Sequence, residues 1–189
     1  MKRIVIFASG SGTNAENLIK FFHNRENASV IQVLTNNPRA KVLDRCKKLN
    51  VSALSFNKTA FTKTNDVLDL LKNKQPDLIV LAGFLWKFPE NILAHFPNKV
   101  INVHPALLPK YGGKGMYGMH VHEAVVQNKE KETGITIHYV NEHYDEGAII
   151  FQAKCKINPT DSAEDVAEKI HLLEMKHFPE VVNDVLFSE

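Results

Sequence analysis

Cysteine, excess charge and long apolar runs are all scarce in this chain. Its two cysteines, Cys46 and Cys155, lie far apart. They form no metal-type pair and no disulfide framework, and read as buried thiols of a cytoplasmic protein. Lysine and arginine number 23 against 21 aspartate and glutamate, with no basic block, so neither nucleic acid nor a membrane surface is expected as a partner. No apolar stretch is long enough to span a bilayer. Met1-Lys2-Arg3 starts like a signal peptide, but the apolar run over 4–8 is too short and Ser9-Gly10-Ser11-Gly12 follows at once. There is no internal repeat and no low-complexity segment. What remains is 189 residues of ordinary globular composition, 44% hydrophobic and 23% charged, enough to bury one sizeable core.

The apolar residues alternate between two periods. Residues 3–8 (Ile4, Val5, Ile6, Phe7) form a β-rich run suited to a strand buried on both faces. Ser9-Gly10-Ser11-Gly12-Thr13-Asn14 breaks it, and Leu18, Ile19, Phe21 and Phe22 then recur at helical spacing. Further strands are expected over 29–34, 51–56 and 77–82, with helices over 40–49, 64–72 and 90–96. Such βα repetition predicts a Rossmann-like, mainly parallel open sheet with helices on both faces. Residues 133–141 and 148–153 read as strands joined by a loop, an antiparallel addition to that sheet. A long final helix opens at Asp161-Ser162-Ala163-Glu164 with a capping signature, and Pro179 is expected to kink or break it.

Three stretches carry candidate chemistry. Val100-Ile101-Asn102-Val103-His104-Pro105 is a short strand stopped by proline, with Asn102 and His104 on one side of its C-terminal end. Ligands of open α/β sheets bind at that edge. The first loop places Gly12, Thr13 and Asn14 at a helix start, where free N–H groups attract an anion, a phosphate being the natural guess. Any α/β protein needs a tight first turn, so this loop alone decides little. Gly10-Ser11-Gly12-Thr13-Asn14-Ala15 also fits a dinucleotide fingerprint. The second strand runs into Thr35-Asn36-Asn37-Pro38-Arg39 without an acid for a ribose, which disfavours NAD and leaves an NADP-binding module, with Arg39 on the extra phosphate, as an alternative. The segment Gly83-Phe84-Leu85-Trp86-Lys87-Phe88 suits either the wall of a flat apolar pocket or a loop burying its own aromatics. Gly112-Gly113-Lys114-Gly115 lacks the strand and the Lys-Ser/Thr pair of a phosphate loop. His120-Val121-His122 is better read as a helix start with one inward histidine than as a metal pair.

Taken together, four stretches resemble the 10-formyltetrahydrofolate-dependent formyltransferases, and within them the glycinamide ribonucleotide branch. They are Ser9-Gly10-Ser11-Gly12-Thr13-Asn14, Ala82-Gly83-Phe84, Asn102-Val103-His104-Pro105 with Leu107-Leu108-Pro109, and Gly134-x-Thr136-Ile137-x-Tyr139-Val140 running to Asp145-x-Gly147. The tRNA branch and the deformylases of this superfamily carry extra domains, which these 189 residues do not contain.

The resemblance implies one domain, 1–189, with a phosphate-binding half over 1–100 and a catalytic, folate-binding half over 101–189. It implies Asn102, His104 and Asp145 as the catalytic trio. Gly12, Thr13, Asn14 and Glu174 would hold the ribonucleotide, and Leu85, Trp86, Lys87, Phe88 and Asn102 the folate. Trp86 and Lys87 depart from the arginine and aliphatic residue of the family pattern. The basic residue expected after the third strand is replaced by Asn57-Lys58-Thr59. The implied reaction moves a formyl group from 10-formyltetrahydrofolate to the amine of glycinamide ribonucleotide in purine (IMP) synthesis. Asn102 and a protonated His104 would face the oxyanion and Asp145 would support the charged ring, with no metal and no covalent nucleophile. A tRNA or aminosugar formyltransferase is the alternative within the same chemistry. Both partners would be small molecules, and the protein a monomer or weak homodimer in the cytoplasm.

Overall fold

A computed structural model describes residues 1–188. The elements run β1 (Lys2–Phe7), α1 (Thr13–His23), β2 (Ala28–Thr35), α2 (Lys41–Lys48), β3 (Ala53–Ser55), α3 (Lys58–Thr62), α4 (Asp66–Lys74), β4 (Leu78–Leu81), α5 (Glu90–His95), β5 (Val100–His104), α6 (Met119–Gln127), β6 (Glu132–Tyr139), β7 (Ile149–Lys156) and α7 (Ala163–Phe187). The strands form one seven-stranded sheet in the order β3-β2-β1-β4-β5-β6-β7. β1 to β5 pair in parallel, and β6 and β7 are added antiparallel.

The pleat divides the core in two. In β1, Ile4 and Ile6 join Leu18, Phe22, Val42, Val166 and Ile170 on the side of α1, α2 and α7. Val5 and Phe7 point the other way, among Phe61, Leu68, Leu71 and Ile92 of α3, α4 and α5. This is the two-sided burial that a continuous apolar strand demands. β5 follows the same parity: Ile101 and Val103 enter the first core and Val100 the second. Asn102 and His104 therefore share the parity of Val100 and carry it to the sheet's C-terminal edge.

Several sequence expectations shift. The strand over 51–56 shortens to Ala53–Ser55. The helix over 64–72 becomes Asp66–Lys74, preceded by the unexpected α3, whose N-cap Asn57 accepts from the Ala60 N–H at 2.9 Å. At the last helix the cap is Ser162, which forms a capping box with Asp165 rather than Glu164. Pro179 does not break α7, which runs on to Phe187. Cys46 is fully buried, as expected, whereas Cys155 is only partly so. No described helix is long and apolar enough to cross a membrane.

Candidate active site

The sheet order reverses at β1, which has β2 on one side and β4 on the other. The loops leaving β1 and β4 diverge there, opening a crevice at the C-terminal edge. Two bonds tie these loops together: the Ser9 N–H donates to the Gly83 carbonyl at 3.0 Å, and Leu85 N–H donates to Ser9 Oγ at 3.0 Å. The crevice is a cavity of about 610 Å³. Its wall comes from both loops, the end of β5, the glycine-rich segment 113–118, His122 of α6, Tyr144 and Asp145, and one face of α7.

Asn102, His104 and Asp145 meet in this cavity. Asp145 sits in the left-handed region at φ 57°, a conformation that aspartate tolerates better than most residues. Gly147 behind it is required by close approach: a Cβ there would lie 1.7 Å from the Tyr139 carbonyl. One carboxylate oxygen of Asp145 faces His104 Nδ1 at 3.5 Å and accepts from the Gly113 N–H at 2.9 Å. The other faces His138 Nε2 at 3.6 Å.

His138 enters because β6 pairs antiparallel with β5 and sets it directly opposite Asn102. Asn102 Nδ2 lies 3.1 Å from His138 Nε2. His138 Nδ1 donates to the Tyr139 carbonyl at 2.8 Å, and its Nε2 sits between the Asn102 amide and the Asp145 carboxylate. The Asn102 amide has two N–H groups, and when one is given to His138 Nε2 the other is left for a ligand. The sequence marks His138 only as one of two polar residues, with Thr136, alternating through an apolar strand. Thr136, fully buried, accepts from the Leu108 N–H and donates to the Ala106 carbonyl, pinning the chain just after His104.

The electrostatics bear on one expectation. Burial pushes the His104 pKa down, and the opposing pull of Asp145 and the Tyr111 carbonyl does not restore it to its ordinary value. Burial therefore works against the protonated ring that the resemblance implies. The His104 Nε2–H donates to the Tyr111 carbonyl at 2.7 Å, which directs the other nitrogen at Asp145. For Asp145, burial raises the pKa, but His138, His104 and the Gly113 N–H outweigh it and hold the carboxyl below the usual range.

Gly12, Thr13 and Asn14 line the same cavity at the start of α1. Asn14 Nδ2 donates to Glu174 Oε2 at 2.9 Å, bringing Glu174 of α7 into the wall. The Asn14 Oδ1 and His122 Nδ1 atoms are buried without a protein partner, and both residues line the cavity. His122 is the inward histidine of its helix, while His120 is exposed.

The segment 85–88 divides. Leu85 and the preceding Phe84 line the cavity, whereas Trp86, Lys87 and Phe88 do not. Phe88 is 3% exposed and packs edge-on against Phe7 and Phe61 in the second core. Trp86 packs against Phe56 and Phe61. Lys87 points to Glu90 at 4.0 Å on the surface. Trp86 and Phe88 thus serve the core and Lys87 the surface, and none of these three side chains, expected to hold the folate, faces the cavity. Lys58 opens α3 and stays outside the cavity wall, as does Arg39.

The formyl transferase family matches residues 2–182. Phosphoribosylglycinamide formyltransferase of Bacillus subtilis is 33% identical over 193 residues, covering 98% of this chain and 95% of the relative. The chain belongs to the phosphoribosylglycinamide formyltransferase family. The chloroplastic family member of Arabidopsis thaliana is 32% identical over 190 residues, and there the match spans 97% of this chain but 65% of the relative. Among solved structures, the family member of Bacillus halodurans superposes with a TM-score of 0.89 at 33% identity, covering 99% of this chain and 96% of that one. The match therefore includes β5, the Asp145 loop and α7 within one continuous superposition.

Proposed function

We propose that this cavity transfers the formyl group of 10-formyltetrahydrofolate to the amine of glycinamide ribonucleotide, N1-(5-phospho-D-ribosyl)glycinamide, in purine synthesis. The observation that carries this reading is the shared cavity. Asn102, His104 and Asp145 line it together with the α1 N-terminus and the Asn14–Glu174 pair. The helix start suits a phosphate, Glu174 suits ribose hydroxyls, and Phe84 and Leu85 give a flat ligand an apolar wall. The two halves of the chain share the work, since Glu174 of the second half completes the ribonucleotide side built by the first.

In this reading the amine attacks the formyl carbon and its π electrons move to oxygen. The free N–H of Asn102 stabilises that oxyanion as a pre-placed donor. His104 and Asp145 take the proton lost by the attacking amine. That proton is then delivered to N10, the oxyanion electrons re-form the C=O bond as the C–N10 bond breaks, and tetrahydrofolate leaves while the formyl group stays on the ribonucleotide amine. A His104 whose burial disfavours the charged ring fits this role, since it gains its charge as the oxyanion forms. The protein works in the cytoplasm on two small molecules, as a monomer or weak homodimer.

Incubation with 10-formyltetrahydrofolate and a panel of amines tests the assignment. Glycinamide ribonucleotide is expected to give far higher kcat/KM than methionyl-tRNA or an aminosugar nucleotide, and equal turnover of either competitor would overturn it. The NADP reading loses its support because Arg39 takes no part in the cavity wall. Tight NADPH binding by calorimetry would revive it.

A further inference from the structure

Pro179 lies inside α7. In an α-helix the N–H of residue 179 would donate to the carbonyl of Met175, and proline has none to give. Asn17 of α1 supplies the missing donor: its Nδ2 donates to the Met175 carbonyl at 2.8 Å. One residue earlier on α7, Glu174 accepts from Asn14 Nδ2 at 2.9 Å. Asn14 and Asn17 are three apart and share one face of α1. Two neighbouring amides of one helix thus grip two consecutive residues of the other.

We propose that Asn17 is a positioning residue for the ribonucleotide side of the cavity. By holding the carbonyl that Pro179 leaves free, it fixes α7 against α1 and so keeps the Glu174 carboxylate on Asn14. This rests on the reading of Glu174 as a substrate contact. Met175 and Glu174 share a peptide bond, so a hold on the Met175 carbonyl restrains the direction in which the Glu174 side chain leaves the helix. Besides Asn14, the carboxylate is met by His171 Nδ1 at 3.8 Å, but that ring lies on α7 itself and moves with it, so neither contact fixes α7 against α1 as the hold on the Met175 carbonyl does. Asn17 itself does not line the cavity, so it acts through Glu174.

Steady-state kinetics of four variants test this. Asn17→Ala is expected to raise KM for glycinamide ribonucleotide by about three- to tenfold, the equivalent of one hydrogen bond, with kcat and KM for 10-formyltetrahydrofolate within about twofold of wild type. Pro179→Ala in the Asn17→Ala background returns a backbone N–H to Met175 without restoring the hold from α1. The thermal midpoint lost in Asn17→Ala is expected to recover in this double variant, while KM for the ribonucleotide stays raised. Recovery of KM along with the midpoint would mean that Asn17 serves helix stability alone, and the proposal would fall. If Asn17→Ala does not fold, the double variant alone decides: a raised KM supports the proposal and a wild-type KM overturns it. Glu174→Gln separates the two readings. If it raises KM and Asn17→Ala does not, the positioning role is wrong. If Glu174→Gln leaves KM unchanged, the substrate role of Glu174 is wrong and the proposal goes with it. Pro179→Ala alone is expected to leave KM at the wild-type value, and a rise there would show that the proline rather than the amide sets the position of α7.

Discussion

Arg45 Nε donates to the Ser11 carbonyl at 2.7 Å, and through that bond α2 sets the orientation of the first loop. In a trans peptide the carbonyl and the following N–H point in opposite directions. Pulling the Ser11 oxygen toward Arg45 therefore turns the Gly12 N–H away from it. The guanidinium is itself held by Glu16 of α1. Arg45→Ala is expected to raise KM for the ribonucleotide several-fold and leave KM for the folate unchanged, with a stability loss of about 1 kcal/mol. Arg45→Lys keeps the charge but has no Nε–H, and is expected to resemble the alanine variant. Wild-type kinetics in both would show that the loop orients itself.

Gly12 caps α1 at φ 74°. A Cβ there would lie 2.4 Å from Val42 Cγ2 and 2.8 Å from Val42 Cα. Any side chain at this position meets α2 before it meets a phosphate. Gly12→Ala is expected to destabilise the fold by about 2 kcal/mol or more, from overpacking and left-handed strain together. Denaturant midpoints check this. Val42→Ala in the same chain removes Cγ2 and is expected to recover part of the loss. No loss in the single variant would refute the packing role.

The features legible in the sequence are those that a local pattern encodes. The buried strand of Ile4 to Phe7, the turn after it, the Asn102 and His104 pair before Pro105, and the antiparallel addition all follow from periodicity and breakers within a few residues. What escaped depends on contacts between distant segments. His138 becomes part of the site only through its register with Asn102. Arg45 and Val42 matter because α2 abuts the first loop. α3 carries no apolar period long enough to announce itself. Phe88 and Leu85 are both apolar loop residues, and nothing in their type says which faces the cavity and which the core.

That last distinction is measurable. Phe88→Ala opens a hole among Phe7, Phe61 and Phe84 and is expected to cost about 3–5 kcal/mol of stability. Binding of 10-formyltetrahydrofolate by the folded fraction should be unchanged. Leu85 is 46% exposed, so Leu85→Ala is expected to cost little stability and weaken folate binding instead. Isothermal calorimetry with denaturation curves reads both. The reverse pattern would return the whole segment to the pocket.

Stability should also report the buried histidine. Burial holds His104 below the ordinary 6.5, so the unfolded chain takes up that proton first. The contribution is full above about pH 6.5 and is lost as pH falls through the folded value. Asp145, also depressed, acts with the same sign in a lower window, full above about pH 3.9 and lost below it. His122 and His177 are pushed down by burial and add to the slope, while His171, raised by its bond to Glu174, opposes it. Denaturant midpoints of the wild type should therefore fall between pH 7.5 and 5.5. His104→Asn is expected to flatten part of that fall, and an unchanged slope would place the effect on other groups.

The trio proposed to be catalytic makes the sharpest demand. Asn102 is the donor left free for the oxyanion, so Asn102→Ala is expected to lower kcat by roughly 2.7–4 kcal/mol of transition-state stabilisation, with binding of both ligands nearly intact. His138 holds that amide by the 3.1 Å contact. His138→Ala should lower kcat less than Asn102→Ala, and almost nothing further when the two are combined. Asp145→Asn keeps the shape but removes the charge that stabilises His104 once it has taken the proton. It is expected to lower kcat severely, and His104→Ala on top should cost less than the two single losses summed, because groups that act as a unit are not additive. Circular dichroism checks folding, and the cycle is read in kcat. Strict additivity of the Asp145 and His104 losses would mean that they work independently, and the shared proton path between them would have to be abandoned.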